Sequence, residues 1–213
     1  MKKEELPKTI PIFPLSNFIM FPKTTVPLNI FEPRYIQMID DCMKNNRVLG
    51  MVQPKKTGEI KKPNLYEVGC LGKITSFNET QDGRFLIVLD GVCRFNILKE
   101  LKTEKLYREC EVSYDKFELD LITKNDVNKI SELKLIFTKL KNLFKKQGYI
   151  INWKDIESQN PTQTLNTLSM ASPFTLEEKQ ILLETENFIS RKQKLENILE
   201  TYYMDNFNNT TLQ

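Results

Sequence analysis

Histidine is missing from all 213 residues of this chain. Its absence removes the Cys-His and Ser-His-Asp arrangements that activate nucleophiles, together with every histidine-ligated metal. Four cysteines are present, Cys42, Cys70, Cys93 and Cys110, but no two form a C-x-x-C pair. Their long, irregular intervals exclude zinc-ribbon spacing. Reduced thiols packed as small hydrophobes are expected, Cys42 on a helix and the others in strands. No G-x-x-x-x-G-K-[ST] phosphate loop occurs, so the backbone cradle and lysine that hold ATP are lacking. No apolar run approaches the roughly 20 residues of a membrane helix. Met1 to Lys8 is charged, and Pro11, Pro14 and Pro22 break the apolar run that follows. No secretory signal is therefore expected, and the reading is a soluble, cytoplasmic protein. The charge is nearly balanced: 31 basic against 28 acidic side chains leaves +3, too little to name a polyanion as partner.

What the chain has instead is proline among large apolar residues. Six of its ten prolines (Pro7, Pro11, Pro14, Pro22, Pro27 and Pro33) fall near the start. Proline fixes φ, donates no backbone hydrogen bond and pushes its predecessor towards extended geometry. Residues 10–32 therefore predict short, edge-like or bulged strands rather than a helix. Pro33 reads as a first-turn helix proline, with Glu32 at the helix start and Tyr35, Met38, Ile39 and Cys42 repeating at helical spacing. Glu32 is expected to cap that helix and to meet an arginine from the strand at 92–98.

Further on, Gly69 and Gly72 suggest bulges or a barrel corner within a strand region at 65–77. Asp82-Gly83 predicts a two-residue type I′ hairpin turn between Phe77 and the strand at 85–89. Asp90-Gly91 reads as a break before a further strand at 92–98, and Tyr107 to Tyr114 closes the β region. Helical periodicity follows. Ile130, Leu133, Phe137, Leu140 and Phe144 form one stripe, with Gly148 as its stop. Pro161 opens a shorter piece over 162–170. Thr175 and Glu178 make a capping box, and Phe188 to about Tyr203 gives a long last helix. The expected division is a β lobe at 9–116, a helical lobe at 117–206 and a frayed tail at 207–213.

Several blocks occur in an order that resembles a known family: Pro11-Ile12-Phe13-Pro14-Leu15, Met20-Phe21-Pro22, Pro27 to Tyr35, Val68-Gly69, Asp82-Gly83-Arg84, Gly91-Val92-Cys93-Arg94-Phe95 and Glu177 to Glu184. They are similar to the amino-terminal, substrate-binding domain of the Lon ATP-dependent proteases. The resemblance implies an α+β fold, a PUA-like β pseudo-barrel lobe followed by a C-terminal helical bundle. It covers neither the nucleotide-binding motor nor the serine-lysine peptidase, so a stand-alone, non-enzymatic version of the domain is expected, without cofactor or metal. Lys23 sits where the family usually turns with glycine, and Asn29 where a histidine is common.

Phe18, Ile19, Met20 and Phe21 form an apolar run inside a loop. Neighbouring side chains diverge, so four in a row cannot all point inward, and this run is the candidate substrate-binding site. The implied partners are unfolded or client proteins, with a protease or chaperone to supply ATP-driven work; no membrane partner is expected. The alternative is RNA binding through the lysine-rich helix, where Lys124, Lys129, Lys134, Lys139, Lys141, Lys145 and Lys146 occur. Because those lysines surround an apolar stripe that must be buried, a solvated face is the preferred reading.

Overall fold

The computed structural model describes residues 3–59, 62–122 and 133–210. They form two compact units, Met1–Thr123 and Lys124–Gln213. The first unit holds strands β1 (Thr9–Pro14), β2 (Thr25–Ile30), β3 (Val48–Val52), β4 (Pro54–Glu59), β5 (Lys62–Leu65), β6 (Val68–Glu79), β7 (Phe85–Leu101) and β8 (Arg108–Ser113), with helix α1 (Pro33–Lys44) after β2.

The main sheet runs β2-β7-β6-β3-β1-β8, and β8 also pairs with β7. That second pairing closes β7, β6, β3, β1 and β8 into a ring, while β2 extends the free stretch of β7's edge. β1 and β3 are parallel; the other pairs are antiparallel. A hairpin of β4 and β5 stands apart.

β7 serves three neighbours because its ladder slips. The register with β6 skips Val92, and the register with β8 skips Leu98, which is left exposed. Each bulge bends the strand and increases its twist, as barrel closure requires. Alternation does the rest. Ile10 and Ile12 of β1 point inward with Leu71, Cys93, Phe95 and Cys110, all with no solvent exposure. Helix α1 lays Tyr35, Met38, Ile39 and Cys42 into the unit, the predicted stripe, and Phe13 packs 4.2 Å from Tyr35.

Four expectations are corrected here. Asp90-Gly91 does not interrupt a strand; β7 runs through it. The hairpin turn is not the two-residue form. Gly83 N–H bonds to Thr80 O at 3.0 Å and Thr80 N–H to Arg84 O at 2.9 Å, so Gln81 and Asp82 are central and Gly83, at φ 77, is the left-handed bulge residue. The boundary at 116/117 also moves. The 3-10 segment Asp115–Leu121 packs on β7, and Asp120 accepts from Arg94 through Nε and Nη2, both at 2.8 Å, and through Arg94 N–H at 3.0 Å. Both groups are buried, and Phe117 lies under the guanidinium at 4.2 Å. Glu32 occupies the N-cap position but makes no capping bond. Its carboxylate pairs with Arg34 at 2.8 Å, because the strand's arginine is held by Asp120.

The second unit holds α2 (Lys134–Lys146), α3 (Trp153–Glu157), α4 (Pro161–Ala171), α5 (Leu176–Glu184) and α6 (Phe188–Thr210). Ile130, the first residue of the expected stripe, lies outside the described residues. Within them Leu133, Ile136, Phe137, Leu140, Leu143 and Phe144 are buried, as periodicity predicts. The capping box at Thr175 and Glu178 is complete. Helix α6 passes the expected end near Tyr203 and runs to Thr210, packing on α2, α4 and α5. Its buried Arg191 donates to Leu182 O and Thr185 O at the carboxyl end of α5, offsetting that helix's negative pole.

Candidate functional site

The loop that joins β1 to β2 was the sequence candidate, and the structure divides it. Ile19, Met20 and Phe21 are buried, with Phe21 at 0% exposure; Phe18 is half-buried. Backbone geometry explains why. Lys23 N–H donates to Gly91 O at 2.8 Å, and Gly91 N–H donates to Thr24 O at 2.8 Å. The Thr24 hydroxyl turns back on Phe21 O at 2.6 Å. A Cβ built on Gly91 would collide with Phe21 O, so glycine is what admits the loop against β7. Pinned in this way, the loop turns Met20 and Phe21 inward over the barrel. These three residues are core, not contact surface, and the divergence argument fails because the loop itself reverses. The reversal falls on Lys23, at φ 61.

Exposed apolar side chains lie one step outward, on the free face of β2 and β7, and also at Leu98, Leu106, Leu119 and Ile122 elsewhere in the unit. Pro27 pairs with Val88 and Asn29 with Leu86, and pairs directly opposite share a face. Pro27 and Asn29 are exposed, Leu86 is 42% exposed, and Val88 is half-buried. Phe31, the residue after β2, is 66% exposed. Periodicity could have found this face, since Pro27, Asn29 and Phe31 alternate with the inward Val26 and Ile30. The strip is rimmed by charges that neutralise one another. Glu32 holds Arg34, and Asp82 holds Arg84 at 2.9 Å. The Thr80 hydroxyl and Arg84 keep the Asp82 carboxyl below the usual carboxylate range.

Catalytic chemistry has little to work with. Burial pushes the thiols of Cys42 and Cys93 up to about 12 and that of Cys110 to about 11, so the reactive thiolate is suppressed at neutral pH. All four cysteines are buried, and none is in a disulfide. Among the described residues no group of three or more His, Cys, Asp or Glu is placed to hold a metal ion. Nor, among them, is any helix long and apolar enough to cross a membrane. On α2, Lys139 faces Glu200 at 3.4 Å and Lys141 faces Glu157 at 2.6 Å, which interrupts the basic face the RNA reading needs. Lys124 and Lys129 lie outside the described residues.

A closed β barrel and a helical unit define a domain of the α+β class. Residues 9–201 match the family model of the ATP-dependent protease La (LON) substrate-binding domain, and the chain belongs to that family. Among curated relatives, the Lon protease of Dictyoglomus thermophilum is 26% identical over 211 residues, covering 94% of this chain and 25% of the relative. That of Cytophaga hutchinsonii is 28% identical, covering 90% and 24%. The chain thus spans about a quarter of the length of the curated relatives it matches. Two solved structures share the fold. The Lon N-terminal domain protein of Xanthomonas campestris has a TM-score of 0.63 at 20% identity, covering 90% of this chain and 97% of that one. The N-terminal domain of the Mycobacterium avium complex Lon protease has a TM-score of 0.62 at 18% identity, covering 91% and 98%. The α+β architecture expected from the sequence blocks, a sheet-rich N-terminal lobe followed by helices, is the one they share.

Proposed function

We propose that this chain is a non-catalytic protein-binding module that takes exposed hydrophobic segments of client or unfolded polypeptides on the outer β2–β7 face. The strip of Pro27, Phe31, Leu86 and Val88 carries this reading, on a domain whose family is described as substrate-binding. Recognition works by burial of apolar area, at roughly 25 cal/mol per Å2 before the costs of ordering, with little demand on client sequence. The self-neutralised rim supports it: a surface without net charge neither repels nor selects charged flanks. Phe18 is retained as the loop's contact residue, while Ile19, Met20 and Phe21 support it from the core. A partner protease or chaperone would supply ATP-driven work in the cytoplasm.

The test is fluorescence anisotropy with a labelled, uncharged peptide of Leu, Phe, Ser and Gly. Leu86→Asp and Phe31→Ser are expected to weaken capture at least fivefold without lowering the melting temperature, and Phe18→Ser to weaken it less. Capture should survive raised salt, because no phosphate-like charge is neutralised. Wild-type binding in all three variants would sink the proposal.

A further inference from the structure

Helix α2 ends in a loop that the barrel reading does not use. Gly148, at φ 76, donates its N–H to Lys145 O at 3.2 Å, and Tyr149 N–H returns to Phe144 O at 3.0 Å. The Tyr149 ring packs edge-on against Phe144 at 5.8 Å. A left-handed glycine, a returning N–H and an apolar contact together make a Schellman closure. At the other end, Trp153 N–H donates to Ile151 O at 3.1 Å, and the Asn152 amide donates to the Asp155 carboxylate at 2.7 Å. The loop is tied on both sides. Between the ties Ile150 stands 101% exposed, and Tyr149 beside it 56%.

Closing the helix does not require this. Tyr149 completes the Schellman contact, and a polar residue at 150 would serve the backbone equally well. Ile150 and Tyr149 together leave a small apolar point on a loop anchored at both ends. Its surroundings select the contact. Lys145, Lys146 and Lys154 are exposed and make no ion pair among the described residues. The acidic side chains close by are already engaged, Asp155 by Asn152 and Glu157 by Lys141.

We propose that residues 148–152 form a docking point for a polypeptide segment that carries an apolar side chain flanked by Asp or Glu. One protruding aliphatic side chain fits between the side chains of a peptide, and the unpaired lysines supply the complementary charge and a faster encounter. A bilayer would demand a broader apolar face than Ile150 and a tyrosine already committed to Phe144. Nucleic acid would demand an open stacking platform, whereas Trp153 is packed edge-on against Phe144 at 5.6 Å. The proposal concerns the helical unit and does not rest on the barrel surface.

The full chain is titrated into a fluorescein-labelled peptide of alternating Glu and Leu, and into the same peptide with Gln for Glu. The acidic peptide is expected to bind at least fivefold more tightly than the Gln form. Ile150→Asp, and separately Lys145→Gln with Lys146→Gln, should each weaken it at least fivefold while thermal melting stays unchanged. Equal binding of the two peptides overturns the proposal, as does wild-type affinity in either loop variant. Loss of binding in Leu86→Asp, with the loop variants intact, would assign the acidic peptide to the barrel and overturn it as well. So would binding of phosphatidylglycerol vesicles or oligouridine in the absence of any peptide binding. The barrel reading is measured with the uncharged peptide and Leu86→Asp, so the two readings fail separately.

Discussion

Lys23 and Gly91 show how much of the first unit depends on single backbone positions. Lys23 adopts a left-handed backbone that disfavours an L side chain by roughly 1 kcal/mol. Lys23→Gly should therefore stabilise the protein by about 1 kcal/mol in urea unfolding; a lower midpoint would mean that the Lys23 Nζ bond to Ile122 O contributes more than the strain costs. Gly91→Ala should destabilise by about 3 kcal/mol, because the new methyl meets the Phe21 carbonyl rather than a yielding side chain. The thiols of Cys42, Cys93 and Cys110 should resist Ellman's reagent at pH 8 until the chain is unfolded, since thiols titrating near 11 to 12 are scarcely ionised there. Rapid native labelling would show that the barrel opens. At this scale the sequence was partly readable. A lysine in a glycine's place marked the turn, and irregular cysteine spacing marked packing. Asp120 gave no signal, because its partner Arg94 lies in another element and an ion pair across the sequence has no period.

Elements with a strong local code were legible: the proline-led α1, the capping box of α5, and the apolar stripe of α2. That stripe makes a controlled comparison possible. Leu140 is 0% exposed and Leu135 is 58% exposed on the same helix. Leu140→Ala should cost about 2–5 kcal/mol in chemical denaturation, and Leu135→Ala less than about 0.5 kcal/mol. Similar losses would reverse the assignment of the buried face. The tie between the Asp115–Leu121 segment and β7 offers a second test. Asp120→Asn removes the carboxylate charge beside the buried Arg94 and should cost about 3–5 kcal/mol, whereas Arg94→Met with Asp120→Leu should recover part of it. What was not legible followed from pairing between distant segments. The parallel contact of β1 with β3 and the three-way use of β7 depend on closure, which no local window contains. Asp90-Gly91 looked like punctuation for that reason, and the buried fate of Ile19 to Phe21 was hidden behind it.

For the whole molecule, the proposal of a binding module without chemistry predicts that the pure chain hydrolyses neither ATP nor peptides. Turnover abolished by one point substitution would refute it. The near balance of charge predicts that RNA associates weakly and is lost quickly as salt rises. The ring of strands has a consequence for synthesis. β1, at Thr9–Pro14, pairs along one edge with β8, at Arg108–Ser113, and β8 also completes β7. About 100 residues separate those partners, which at usual elongation rates is on the order of 5–20 s between their translation. Through that interval the nascent chain holds Ile10 and Ile12 without the strand that seals them, and the long-range pairing makes closure slow. A domain proposed to take up the exposed apolar segments of other proteins begins, on the ribosome, as such a segment itself.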